Sequence, residues 1–315
     1  MDAWQIGRRG FLTLAGASVL AACSGSKPTT PVPSVTPTDL SPTEFPTDRV
    51  FYGSSSPVAK LRGLEESIGE PLPCYRSFFD SGEPGALHAR VSNDAVEGRL
   101  SIASIKPPGP WADAAGDSGW IETVLGPLGD IGVPMFLAVH HEPEGEAKAY
   151  GTPADFRLLQ LSVMKAASTL APTATIVPIL GSWSFDTRTS REPAEWNVPE
   201  ATVYGVDIYN PWSPTNGKQW IPFGDKLALA HDQAAGRPML VGEYGCRSDP
   251  AQPGRAASWM RDAFTDALAS DVVAMAYFNS DRNSPDGTWE LDAETFPVFR
   301  DLLHAPEVKR LSPGT

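Results

Sequence analysis

From residue 50 onward, short apolar runs alternate with stretches whose apolar residues recur at helical spacing. Runs near Val50–Gly53, Tyr75–Phe79, Leu100–Ile105, Met135–Val139, Ile176–Leu180, Val203–Ile208, Met239–Gly242 and Val272–Phe278 read as strands. Met135–Val139 is continuously apolar, the form of a parallel strand covered on both faces. Between the fourth and fifth runs the spacing predicts a helix: Thr152 caps it, Pro153 takes the first turn and Asp155 suits the N-terminal dipole. Phe156, Leu159, Val163, Ala166 and Leu170 then mark its apolar face. A second helix is expected over Ala256–Leu268, with Trp259, Ala263, Phe264 and Ala267 on one side, whereas Ser182 to Pro199 shows little helical pattern. Eight strand runs alternating with helices predict an α/β fold, a (β/α)8 TIM barrel. A doubly wound open sheet satisfies the same alternation, because pattern alone does not prove closure.

Length agrees with a single barrel domain over residues 50–315, since such barrels use about 250 residues. No internal repeat or second boundary follows residue 50. The net charge of -13 and the lack of any lysine or arginine cluster argue against nucleic acid and against a polyanion held by charge alone. A neutral partner fits better, and a monomer is expected.

The first 49 residues have a different character. Arg8-Arg9-Gly10-Phe11-Leu12 and the apolar run to Ala22 have the layout of a twin-arginine export signal, and Leu20-Ala-Ala-Cys23 resembles a bacterial lipobox. Phe11 to Ala22 is far short of the roughly 20 residues that span a bilayer. Residues 1–23 are therefore expected to be a lipoprotein signal with Cys23 as the lipid attachment site. Residues 24–49, with prolines at 28, 31, 33, 37, 42 and 46 among serines and threonines, read as an extended spacer. The expected location is the outer face of the cell membrane, reached by export and held by the lipid, with part of the protein secreted. The remaining cysteines, Cys74 and Cys246, fall at opposite ends of their strands, so both thiols are expected to be free.

Two strand ends carry the candidate chemistry. Met135–Val139 stops in His140-His141-Glu142-Pro143-Glu144-Gly145, and Pro238-Met-Leu-Val-Gly242 delivers Glu243 before Tyr244-Gly245. In a barrel these are the carboxyl ends of the fourth and seventh strands, the face on which active sites of this fold are built. Two carboxylates converging there suit glycosidic bond cleavage, one as nucleophile and one as proton donor. A strand-end glutamate is also often only a cap or an ion-pair partner, and two together weaken that reading. His140 and His141 with Glu142 lack His-Glu-x-x-His spacing, so no metal is expected, and no cofactor is needed.

These residues resemble the clan A glycoside hydrolases, and the pair His141-Glu142 resembles glycoside hydrolase family 26, over residues 50 to about 304. The resemblance implies a retaining glycosidase acting on a β-linked polysaccharide or oligosaccharide, mannan or β-glucan-like, with Glu142 as acid/base and Glu243 as nucleophile. It further implies that His141 contacts the sugar beside the cleaved bond, that Tyr209 orients the nucleophile, and that Tyr277 takes the place of a tryptophan platform. Tyrosine at 277 and the order His-His-Glu-Pro-Glu both depart from the commoner mannanase pattern. His140, Lys106 and Asp207 are further candidate substrate contacts, and Lys106, Arg76 and Asp207 read equally well as ion-pair partners inside the mouth. Trp111, Trp183, Trp212 and Trp220 follow strand ends, where one or two of them could stack on sugar rings, Trp183 and Trp212 foremost. Glu144 reads as a solvated loop charge. A barrel that binds carbohydrate at the cell envelope without turning it over is the alternative function.

Overall fold

The computed structural model describes residues 49–185, 192–282 and 286–313. The expected export signal with Cys23, and the expected spacer up to residue 48, lie outside the described residues. Within them the chain runs β1 (Phe51–Ser55), α1 (Val58–Ile68), β2 (Cys74–Phe79), α2 (Pro84–Val96), β3 (Leu100–Ile105), α3 (Trp111–Gly116) and α4 (Ser118–Ile131). There follow β4 (Met135–Val139), α5 (Pro143–Tyr150), α6 (Pro153–Leu170), β5 (Ala174–Ile176), β6 (Ile179–Gly181), a 3-10 turn over Ser182–Phe185 and α7 (Pro193–Trp196). The last third is β7 (Tyr204–Tyr209), α8 (Phe223–Ala234), β8 (Met239–Gly245), α9 (Arg255–Leu268), β9 (Val272–Phe278) and α10 (Thr295–Leu303).

All strand pairs are parallel, in the order β5-β4-β3-β2-β1-β9-β8-β7-β6. The fold is a (β/α)8 barrel, and the ninth strand arises because the fifth run is cut in two. Pro178 has no N–H to give to a ladder, so regular pairing lapses at Val177-Pro178. The run is still bonded on both sides: the Val177 N–H donates to Leu137 O at 2.9 Å, and the Gly205 N–H donates to Pro178 O at 3.1 Å. The ring of strands closes through this interrupted segment.

Side chains alternate across the ring with the period of two that strands impose. Phe51, Cys74, Leu100, Ile102, Phe136, Ile179, Leu240, Ala274 and Ala276 fill the barrel. Tyr52, Tyr75, Leu137, Val206, Val241, Tyr244 and Tyr277 point outward and pack under the helices, for example on Phe156 and Leu159 of α6 and Trp259 and Phe264 of α9. Each such aliphatic or aromatic side chain contributes roughly 1.5–3 kcal/mol when fully buried, so the outer layer is what keeps the helices on the ring. The helix α6 starts as its sequence predicts, in a capping box: the Asp155 N–H donates to Thr152 Oγ1 and the Thr152 N–H donates to Asp155 Oδ2. Both described cysteines are free and buried, Cys74 inside the barrel and Cys246 in the outer layer.

Candidate active site

Regular alternation along β8 would send Glu243 outward. Val241 and Tyr244 both belong to the outer layer, so two residues must share the inward side between them. Pairing shows how: Val206 opposes Val241 but Asp207 opposes Glu243, and on the other flank Val241 opposes Met275 while Tyr244 opposes Tyr277. One extra residue in β8 forms a bulge, and Gly242 and Glu243 both face the barrel. Gly242 has to be glycine, because a Cβ there would lie 1.9 Å from Nη1 of Arg76 and 2.6 Å from Oδ1 of Asp207.

The Glu243 carboxylate then receives two hydroxyl hydrogen bonds, from Ser55 Oγ to Oε1 and from Tyr209 Oη to Oε2, each 2.6 Å. Ser55 ends β1 in the inward phase set by Phe51. Burial, then the Glu243 charge, push the Tyr209 phenol well above its ordinary range, so it stays a donor. Below this pair lies a fully buried ion pair, Arg76 Nη2 to Asp207 Oδ2 at 3.4 Å. Burial raises the Asp207 carboxyl well above the usual range against the pull of Arg76, with the charges of Glu243 and Glu142 adding to it.

Glu142 arrives by a different route. After Val139 the backbone enters the left-handed region at His140 (φ 62°) and again at Glu142 (φ 47°), where α5 begins with Pro143. Strain of this kind persists where neighbours fix the chain. Here the His140 N–H donates to Ile105 O at 2.9 Å and the Glu142 N–H to Ile179 O at 2.7 Å, tying the turn to strands on both sides. Gly181 leaves room beside it: a Cβ there would meet Trp183 Nε1 at 2.2 Å and Glu142 Oε1 at 2.9 Å. Burial, followed by the charges of Glu243 and Glu144, pushes the Glu142 carboxyl up to about 8, against the opposing pull of Arg76. A carboxyl with that value holds its proton at neutral pH.

His141 shares this mouth. Its ring lies 4.9 Å from that of Phe78, and burial, then the positive charge of Arg76, lower its pKa well below the usual histidine range, leaving a neutral imidazole. Its Nδ1 is buried and makes no hydrogen bond among the described residues. Trp183 is half-buried next to Glu142. The structure therefore brings Glu142, Glu243, His141, Tyr209 and Trp183 to one end of the barrel.

Other expected contacts sit elsewhere. His140 turns into the helix-facing layer, where Trp111 Nε1 donates to its Nδ1 at 2.8 Å. An indole N–H can only donate, so Nδ1 is the acceptor and the ring proton sits on Nε2, 3.3 Å from Glu146 Oε2. Trp111 is fully buried in the same cluster and stacks on Tyr150. Lys106 gives its ammonium to Glu146 at 2.6 and 2.9 Å. His140 and then Lys106 hold the Glu146 carboxyl down to about 2. Asp207 is the floor beneath the site, occupied by Arg76. Tyr277 points outward, its hydroxyl donating to Cys246 O at 3.2 Å, and so cannot serve as a platform in the mouth. The inward residue of β9 at that height is Phe278, whose ring meets Tyr209 edge-on at 5.6 Å. Trp212 and Trp220 stand together on the rim loop after β7, their rings 5.4 Å apart. Glu144 is not solvated: it is buried, accepting from the Gly181 N–H at 3.1 Å and Ser184 Oγ at 2.9 Å.

Sequence reasoning overlooked Ser55, Phe78 and Phe278. Continuing the inward phase of Phe51, Cys74 and Ala276 by steps of two finds all three. Trp289, which lies 5.0 Å from the Tyr209 ring, comes from a loop, where strand phase is no guide.

The sequence matches no protein-family model and no curated protein sequence. Solved structures do share the fold. A β-(1,4)-mannanase of Podospora anserina superposes with a TM-score of 0.52 at 12% identity over 84% of this chain, which spans 63% of that protein. A modular endo-β-1,4-mannanase of Cellulomonas fimi gives 0.55 at 12% identity, covering 85% of this chain and 73% of the other. An endoglucanase of Pseudomonas stutzeri gives 0.54 at 13% identity, covering 84% and 96%. The chain has the barrel fold of these glycoside hydrolases.

Proposed function

We propose that the protein is a retaining glycoside hydrolase that cleaves a neutral β-linked polysaccharide or oligosaccharide, mannan or β-glucan-like, by double displacement. The observation that carries this reading is the pairing of a carboxyl pushed up to about 8, Glu142, with a carboxylate held by two hydroxyl donors, Glu243, at one barrel mouth. Unequal environments for two carboxyls divide acid from nucleophile. Glu142 protonates the departing glycosidic oxygen while Glu243 attacks the anomeric carbon, giving a covalent glycosyl-enzyme. Glu142, now a carboxylate, takes a proton from water as that water displaces Glu243. Tyr209 and Ser55 fix the direction of the Glu243 lone pairs, and neutral His141 stands beside Glu142 in the mouth as the sugar-contacting side chain of this reading. The mannanase and endoglucanase activities of proteins with this fold support the class of substrate.

Trapping tests the reading. Incubation with 2,4-dinitrophenyl 2-deoxy-2-fluoro-β-glycosides of mannose and glucose is expected to label Glu243, located by mass spectrometry of the peptide that carries it. A label elsewhere, or product of inverted anomeric configuration by NMR, overturns the mechanism. Carbohydrate binding without turnover of any aryl glycoside returns the protein to a binding role.

We propose as well that the chain is exported and anchored through a lipid on Cys23, on the strength of Arg8-Arg9 and Leu20-Ala-Ala-Cys23. Cys23→Ala is expected to release the protein into the medium; retention in the membrane fraction overturns the anchor.

A further inference from the structure

The loop between β7 and α8 carries two half-buried tryptophans that the catalytic reading does not use, Trp212 and Trp220. They are held in place. Arg255 lies over the Trp220 ring at 4.2 Å and is itself fixed by Asp249 at 2.9 Å. Beside Trp220, the Ile221 carbonyl accepts from Trp259 Nε1 at 2.9 Å and from Asn210 Nδ2 at 3.0 Å. An aromatic ring so anchored loses little further freedom when a ligand stacks on it.

Trp220 forms one wall of a groove of about 530 Å³ that runs between α8 and α9. Along α9 the groove shows Ser258, Asp262 and Asp266, one helical turn apart on a single stripe, with Phe223 and Trp259 at its base. Asp266 is occupied in part by the Gly224 N–H of α8, while Ser258 and Asp262 are exposed. An aromatic wall facing a row of hydroxyl and carboxylate acceptors matches a sugar, which offers an apolar C–H face and a fringe of hydroxyl donors. Arg255 also lines the groove but is paired to Asp249, so the free charge presented along α9 is negative and disfavours a polyanion.

The groove is also connected to the mouth. Trp289 packs on Tyr209, Arg247 covers Trp289 at 3.6 Å, and Arg247 Nη1 donates to Trp212 O at 3.3 Å. A packed row of side chains thus leads from the nucleophile's partner along the rim to Trp220. We propose that this groove is a second carbohydrate-binding site, built on Trp220 and the Ser258–Asp262 stripe, which holds a neutral polysaccharide strand outside the catalytic cleft. The proposal rests on the glycosidase reading for its ligand class.

The test separates polymer binding from chemistry. Full-length protein carrying Glu243→Gln is run through native gels containing galactomannan or mixed-linkage β-glucan, alone and combined with Trp220→Ala or Asp262→Ala. Retardation by a glycan is expected to weaken on the order of tenfold in the Trp220→Ala combination, the loss of one aromatic contact, and less in the Asp262→Ala combination. Turnover of 2,4-dinitrophenyl β-cellobioside or β-mannobioside by Trp220→Ala in the otherwise unchanged protein is expected to stay at the parent rate, which also reports that the barrel is intact. Unchanged retardation in both combinations overturns the second site. A protein that turns over the aryl glycoside but is retarded by neither glycan overturns the second site alone. Absence of turnover and of retardation together overturns the glycosidase reading and the groove with it.

Discussion

At the end of β4 the backbone leaves the extended region twice in three residues, whereas β8 stays extended through Glu243 and gains one residue instead. The surroundings differ as well. Around Glu142 lie the carboxylates of Glu243 and Glu144; around Glu243 lie the hydroxyls of Ser55 and Tyr209. The difference teaches that residue type does not assign the roles. Burial, reinforced by crowded negative charge, keeps a proton on one glutamate, and paired donors orient the other.

Removing each carboxyl breaks the comparison most severely. Glu243→Ala is expected to lower kcat on the order of 10⁴–10⁶-fold on every substrate, as loss of a nucleophile does. Glu142→Ala is expected to lose about 10²–10⁴-fold on polysaccharide, the usual contribution of a general acid. On a dinitrophenyl glycoside its first step survives, and added azide restores turnover as a β-azide; a β-azide from the Glu243 variant instead would exchange the two roles.

The bulge is next. Gly242→Ala pushes a methyl into Arg76 and Asp207, so Glu243 must shift. Activity is expected to fall about 100-fold, the cost of misplacement near 1 Å, together with about 1–3 kcal/mol of stability in urea melts. A variant with native activity would show that the bulge does not set the aim. Tyr209→Phe deletes one of the two donors to Glu243 and is expected to reduce kcat about 10- to 100-fold with little change in KM, since a hydrogen bond to a charged group is worth about 1.5–3 kcal/mol.

The smallest effect is on pH dependence. In the proposed mechanism Glu142 acts while protonated, and with its carboxyl pushed up to about 8 the kcat/KM profile is expected to fall as pH rises past that value. Burial first, then Glu243, Glu144 and Glu146, raise it, and Arg76 lowers it. Glu144→Gln keeps an acceptor for the Gly181 N–H but removes a negative charge, so the alkaline limb is expected to move to lower pH. An unmoved limb would take Glu144 out of the tuning of the acid.

The strand-helix order and the capped start of α6 are legible in the sequence because period and capping chemistry are local. Glu142 and Glu243 are legible as strand ends with breakers after them. What fails is phase. The resemblance puts Tyr277 in the mouth although two residues of step from inward Ala276 lead to Phe278, and nothing in Val241-Gly242-Glu243-Tyr244 announces an extra residue in the ladder. His140 escapes a sequence reading because a left-handed histidine is a tertiary outcome, imposed by bonds to Ile105 and the fit among Trp111, Tyr150 and Glu146. Glu144 reads as solvated since its partners, Gly181 and Ser184, come from another strand and turn.

The left-handed turn at Glu142 has a consequence for protein engineering. Asparagine adopts that backbone region more readily than glutamate, and it needs no proton taken up on folding, as a carboxyl pushed up to about 8 does at neutral pH. A laboratory library selected only for heat resistance is therefore drawn toward Glu142→Asn, and its hardiest members have discarded the carboxyl proposed as proton donor. Any improvement scheme for this barrel has to score turnover in the same round as melting temperature.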